Sequence, residues 1–144
     1  MLAIGSDHGG YELKEHVKKH LEARGIEYKD YGTYSEDSCD YPDIAEVVCG
    51  AVNKGECESG ILLCGTGIGI SIAANKIDGI RAALCGDVFS ASMAKQHNNA
   101  NIICLGGRVT GRELAFMIVD AWYDDKFLGD RHQNRVNKIH ALEK

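Results

Sequence analysis

Apolar residues recur along the chain in two alternating rhythms. Short, β-rich runs read as strands stand near 2–6, 27–31, 60–64, 80–85 and 101–105, and stretches of helical period lie between and after them. Leu13, Val17 and Leu21 share one stripe of a helix predicted over 10–24, and Ile44, Val47, Val48, Ala51 and Val52 share one over 42–54. Further helices are predicted over 70–77, 88–97, 110–124 and 131–142. The runs Gly60-Ile-Leu-Leu-Cys64, Ile80-Arg-Ala-Ala-Leu-Cys85 and Asn101-Ile-Ile-Cys-Leu105 have the pattern of parallel strands buried on both faces. Strands separated by helices predict an α/β fold. The expectation is a single doubly wound, Rossmann-like domain over 1–144, with a five-stranded parallel sheet in the order 2-1-3-4-5 and a C-terminal helix. No linker, repeat or low-complexity segment breaks the rhythm.

Composition narrows the function classes. The 144 residues are 44% hydrophobic and 26% charged, enough apolar material for one packed core. A formal charge of -5 and a pI near 5.6 argue against nucleic-acid or membrane-surface binding, either of which needs a broad basic face. Any anion site must therefore be local. The amino-terminal stretch has no basic segment of a secretory signal, and no apolar run approaches a membrane span, so a cytoplasmic protein is expected. Six cysteines (39, 49, 57, 64, 85, 104) at irregular spacings, with no C-x-x-C pair, point to reduced thiols rather than to a zinc knuckle or a redox dithiol. Most are expected to serve as small buried hydrophobes, Cys104 among them.

In a doubly wound fold, ligands bind beyond the carboxyl ends of the strands where strand order reverses, here after strands one and three. Those are the polar, glycine-rich places. Strand one runs into Gly5-Ser6-Asp7-His8-Gly9-Gly10, and strand three into Cys64-Gly65-Thr66-Gly67-Ile68-Gly69-Ile70-Ser71. Glycines at 65, 67 and 69 let backbone N–H groups turn inward at a helix start, a nest for a negative oxygen. A dinucleotide site is disfavoured, because the G-x-G-x-G lacks its last glycine and follows strand three rather than strand one. A P-loop is excluded, because no lysine followed by Ser or Thr closes the loop. Cys64 ends a strand beside the nest, where oriented N–H groups favour a thiolate, and it is read as a base or nucleophile; the plainer alternative is another buried hydrophobe. Asp7 and His8 suit proton handling, with Asp7 as a helix cap the alternative. Arg131 and Arg135 are spaced i,i+4 on one face of the last helix, a phosphate clamp or else an ordinary solvated face. His16, His20 and His140, in mid-helix polar settings, receive no role.

These segments, with Asp40-Tyr41-Pro42, Asn75-Lys76, Gly79-Ile80-Arg81-Ala82, Gln96-His97-Asn98-Asn99-Ala100-Asn101, Gly106-Gly107-Arg108 and Arg131-His132-Gln133-x-Arg135, resemble the B-type ribose-5-phosphate isomerases and their hexose-phosphate isomerase relatives over essentially the whole chain. The resemblance implies a Rossmann-like fold, no cofactor, no metal, and a homodimer with sites at the subunit interface, sometimes paired into tetramers. It implies that Cys64 moves a proton between C1 and C2 of the open-chain sugar. Thr66, Asp7 and His97 would assist ring opening. The loop Gly65, Gly67 and Gly69, with Ser71 at its end, and Asn98 would bind the reacting oxygens. His8, Arg108, Arg131 and Arg135 would hold the phosphate, and Tyr41 would line the sugar. The chemistry fits, since abstracting a proton beside a carbonyl needs a base and donors where charge develops, not a redox cofactor. Two alternatives stay open: an isomerase of a six-carbon aldose 6-phosphate, of allose or galactose type, and a non-catalytic sugar-phosphate sensor. His97 and Asn98 sit at the return end of their helix, so a neighbouring subunit is expected to supply them.

Overall fold

The computed structural model describes residues 1–144. In chain order the elements are β1 (Leu2–Ser6), α1 (Tyr11–Ala23), β2 (Tyr28–Asp30), α2 (Tyr41–Asn53), β3 (Ser59–Cys64), α3 (Ile68–Asn75), β4 (Ala82–Leu84), α4 (Val88–Asn98), β5 (Ile102–Gly106), α5 (Arg112–Asp124) and α6 (Arg131–His140). Local chemistry explains the boundaries. Pro42 sits in the first turn of α2, where its missing N–H costs nothing. Asp87 caps α4 by accepting the Ser90 N–H at 2.7 Å.

All five strands pair in parallel, in the order β2-β1-β3-β5-β4. The α/β class and parallel sheet agree with the sequence reading, but the last two strands are exchanged relative to the expected 2-1-3-4-5. Burial accounts for the exchange. β5 is buried at all five positions and takes the interior place beside β3. β4 has only three residues, ends on the exposed Leu84, and takes the edge, where a short strand leaves little unpaired backbone. The run 80–85 is thus a short edge strand rather than one buried on both faces.

Strand alternation sends Ile61 and Leu63 to one face of the sheet and Leu62 and Cys64 to the other. On the first face, α1, α4 and α5 bury Leu13, Val17, Ala91, Ile118 and Trp122; on the second, α2 and α3 bury Ala45, Val48, Ile70 and Ala74. The chain steps outward from β3 to β4 and back to β5, and a right-handed return crossing places α4 on the face opposite α3. The apolar stripe of α2 is narrower than its periodicity suggests, because Val47 lies on its flank and is 49% exposed. No helix is long and apolar enough to cross a membrane.

Candidate active site

Three loops meet at the carboxyl ends of β1, β3 and β5. Asp7 N–H donates to Leu63 O at 3.1 Å, Gly107 N–H to Cys64 O at 2.8 Å and Arg108 N–H to Gly65 O at 2.9 Å. The loops touch backbone to backbone: a Cβ on Gly9 would lie 3.0 Å from Gly65 N, and one on Gly107 2.7 Å from Gly9 O. Sequence reasoning placed two of these loops; the third, carrying Arg108, comes from β5 taking the place next to β3.

Cys64, 4% exposed, ends β3 where the chain turns into α3. Gly67 adopts a left-handed φ of 81°, a conformation that favours glycine, and its N–H donates to Cys64 Sγ at 3.1 Å. Ile68 N–H goes to Thr66 Oγ1 at 3.1 Å, leaving the threonine proton free to be donated. The N–H groups of Gly65, Thr66, Gly69 and Ile70 meet no acceptor within the chain. The turn that follows the thiol thus carries four unpaired donors and one committed to sulfur, the make-up of an anion nest at a helix start. Burial pushes the Cys85 thiol up to about 11, helped by the Asp87 charge, and burial pushes Cys49 up to about 12. Burial, with the neighbouring cysteines, drives Cys104 well above 9.0. Ser71 turns its hydroxyl proton to Ile68 O at 2.7 Å, so only its lone pairs remain for a ligand.

Asp7 is 6% exposed, and its Oδ1 accepts the N–H groups of Gly9 at 2.9 Å and Gly10 at 3.1 Å. It shapes the loop but does not cap α1, whose N-cap is Gly10. A cavity of about 580 Å³ opens beside Asp7, His8, Cys39, Asp40 and Tyr41. The N–H of Cys39 donates to His8 Nδ1 at 3.2 Å, so the neutral His8 ring carries its proton on Nε2. Tyr41 lies over Gly69, where an added Cβ would come 2.5 Å from the ring, and Arg108 lies over Gly65, where a Cβ would come 3.2 Å from Nη1. The structure therefore gathers Asp7, His8, Tyr41, Cys64, Thr66, the loop glycines and Arg108.

It does not bring His97, Asn98, Arg131 or Arg135 to them. Cys64 is level with Gly106 at the carboxyl end of β5, whereas α4 ends at Asn98, before β5 begins. The five residues of β5 separate the two groups by roughly 13 Å along the strand direction. At this far end the rings of His97 and His132 stack with centroids 4.2 Å apart. His132 is 5% exposed; burial, then the charges of His97, Arg131 and Arg135, hold its pKa below 6.5. The larger cavity, about 810 Å³, also lies at this end, among Arg81, Asn98, Ile139 and Glu143, and no residue around Cys64 lines it.

Lys14 went unread in the sequence, because it interrupts the apolar stripe of α1. Its side chain is fully buried; Nζ donates to Asp30 Oδ1 at 2.7 Å and Oδ2 at 2.9 Å and to Thr33 O. Lys18 also reaches Asp30, at 2.9 Å. Burial pushes the Asp30 carboxyl up, but bonds from Lys14, Lys18 and the Gly32 N–H outweigh it and hold the group below 3.8. This knot fixes the start of the 31–40 loop, whose far end delivers Cys39 and Tyr41 to the cavity. An acid at the end of the adjacent strand was the only sequence signal.

The Ribose/Galactose Isomerase family model matches residues 2–139. Ribose-5-phosphate isomerase B of Escherichia coli strain K12 is 51% identical over 142 residues, covering 99% of this chain and 95% of that protein. D-erythrulose-4-phosphate isomerase of Pectobacterium atrosepticum is 44% identical over 143 residues, covering 99% and 94%. Among solved structures, Clostridium thermocellum ribose-5-phosphate isomerase B superposes with a TM-score of 0.97 at 52% identity, covering 98% of this chain and 95% of that one. The Mycoplasma genitalium enzyme with bound ribulose-5-phosphate superposes at 0.93 and 40% identity, covering 97% and 93%. With the fold, the residues and full-length similarity in agreement, the chain belongs to the ribose/galactose isomerase family and is an aldose–ketose isomerase.

Proposed function

We propose that the chain interconverts ribose 5-phosphate and ribulose 5-phosphate, as a homodimer in which each active site is built from both subunits. The observation that carries the chemistry is Cys64 Sγ accepting the Gly67 N–H at the head of a turn whose other N–H groups are largely without acceptors. Thr66, Asp7 and His97 handle the hydroxyl protons as the furanose ring opens. The Cys64 thiolate then takes the proton from C2 of the open-chain aldose, and the electron pair moves into the carbonyl to give an enediolate. The N–H groups of the 65–70 loop and Asn98 stabilise the oxygen on which charge develops. A hydroxyl proton then passes from O2 to O1, and as the C2 carbonyl forms the proton returns from sulfur to C1, which completes the ketose with no net change in redox state. His8, Arg108, Arg131 and Arg135 grip the phosphate and Tyr41 lines the sugar, so binding far from the reacting carbons orients the substrate.

The dimer follows from the division of residues. His97, Asn98, Arg131 and Arg135 stand beyond reach of Cys64 in one chain, whereas a second copy can present its α4 and α6 ends to the first copy's loops. Pairing of two such dimers into a tetramer belongs to the same reading. Six free thiols suit a reducing cytoplasm. No cofactor or metal is assigned to the reaction.

The test is turnover of ribose 5-phosphate by purified protein in EDTA, with allose 6-phosphate and D-erythrulose 4-phosphate in parallel. The relative from Pectobacterium atrosepticum makes the four-carbon arm necessary. Turnover of the pentose ahead of the others is the expected result. Preference for a different chain length would keep the mechanism and change the substrate, and binding without turnover of any of them would point to a sensor.

A further inference from the structure

Arg81 belongs to no part of the mechanism above, yet each of its guanidinium nitrogens has a partner. Nε donates to Asn98 O at 3.0 Å and to Asn99 O at 3.1 Å, and Nη2 to Asn99 O at 2.8 Å. Nη1 lies 2.7 Å from His140 Nε2. Arginine only donates, so His140 Nε2 accepts and the neutral ring carries its proton on Nδ1. That proton is donated to Glu143 Oε1 at 2.9 Å, and the same oxygen accepts the Gly79 N–H at 2.8 Å. These two bonds hold the Glu143 carboxyl below 4.5. The circuit closes on itself, because Gly79 and Arg81 are two residues apart. Asn101 braces that segment, accepting the Arg81 N–H at 2.8 Å and donating to Gly79 O at 2.9 Å.

The placement of the fork is specific. It binds the last carbonyls of α4, the negative end of the helix, at the turn that carries His97 and Asn98. Through His140 it also ties the carboxyl end of α6 to that turn, while His132 near the amino end of α6 stacks on His97. The helix bearing Arg131 and Arg135 is thereby fixed to α4 at both ends.

We infer that Arg81 is a positioning residue for the half-site that this chain contributes to its partner, setting the last turn of α4 and locking α6 to it through the Nδ1–H form of His140. The inference rests on reading His97 and Asn98 as site residues.

Two measurements test it. In protein labelled with nitrogen-15 at histidine, the His140 shifts should show an unprotonated Nε2 and a protonated Nδ1; a protonated Nε2 would overturn the tie whatever the substrate proves to be. In turnover, Arg81→Ala should lower kcat about 10- to 100-fold with a smaller change in KM, because misplacing catalytic groups acts chiefly on the transition state. Millimolar guanidinium should restore part of that loss. Arg81→Lys keeps the charge without the fork; it should show the same fall in kcat, without rescue, and stands in if the alanine variant does not fold. A kcat within about twofold of wild type in either folded variant, or a loss in Arg81→Ala that guanidinium leaves untouched, would reduce Arg81 to an ordinary helix cap. If wild-type protein fails to turn over any sugar phosphate, the functional reading fails, while the histidine spectrum still decides the tie.

Discussion

The imidazole of His97 lies flat against that of His132, with ring planes only 11° from parallel. The stack joins the last turn of α4 to the first turn of α6, where burial first and then the charges of His97, Arg131 and Arg135 hold the His132 pKa below 6.5. A histidine whose pKa is lowered by folding binds its proton more readily when unfolded. Its contribution to stability is therefore complete above pH 6.5 and is lost as pH falls from there through the folded value. Urea denaturation between pH 8 and about 5 should show that decline, and His132→Phe, which keeps a flat ring but cannot titrate, should flatten it.

Cys64→Ala should reduce loss of label from substrate carbon to solvent by about 100-fold or more, the usual contribution of a placed base. Binding of the sugar phosphate, followed by calorimetry, should persist. Turnover like that of the wild type would remove the thiol from the mechanism.

Arg135→Ala should act in the opposite sense, raising KM about tenfold with a smaller effect on kcat, because a charge-assisted grip on a remote phosphate is lost. Unchanged affinity would return the α6 arginines to the solvated face of their helix.

The proposed division of the site between subunits makes an arithmetic prediction. Cys64→Ala and His97→Ala homodimers should each be nearly inactive. After unfolding and refolding as an equal mixture, about half of the dimers are hybrids, each with one intact site, so about a quarter of wild-type activity should return. No recovery, with hybrids demonstrated by mass, would place the whole site within one chain.

Lys14→Met should destabilise the chain by about 3 kcal/mol, since it removes one partner of a buried ion pair and leaves Asp30 to the partly exposed Lys18 and the Gly32 N–H. Thermal unfolding measures that loss. Because the same ammonium holds Thr33 O at the root of the 31–40 loop, KM should also rise in the folded fraction.

The parts legible in the sequence were those decided locally. Apolar runs bounded by glycine and polar residues located four of the strands, β-branched and aromatic spacing between two helical stretches pointed to β2, and the i,i+4 stripe of Leu13, Val17 and Leu21 oriented α1 correctly. The order of β4 and β5 was not legible, because it depends on which of two apolar runs is buried more completely once both are present. Lys14 escaped because a lysine on an apolar stripe is ordinarily on the rim, and only Asp30 folding back beside it makes burial tolerable. In the candidate site, the loops after β1 and β3 announce themselves by composition. The pairing of Arg81 with His140, 59 residues apart, leaves no local trace.

The interlocked glycines at the ends of β1, β3 and β5 divide the site into a part that can change and a part that cannot. At Gly107 any side chain would strike the Gly9 carbonyl, at Gly9 it would crowd the Gly65 backbone, and at Gly67 it would strike Leu84 and the Leu105 carbonyl. The floor proposed to meet the reacting oxygens therefore resists substitution at these glycines. The 31–40 wall, secured at its root by Lys14 and bearing mostly exposed side chains, has no such restraint. A descendant of this enzyme that acquires a longer or shorter sugar will do so by rewriting that wall, while the isomerisation chemistry beneath it stays as it is.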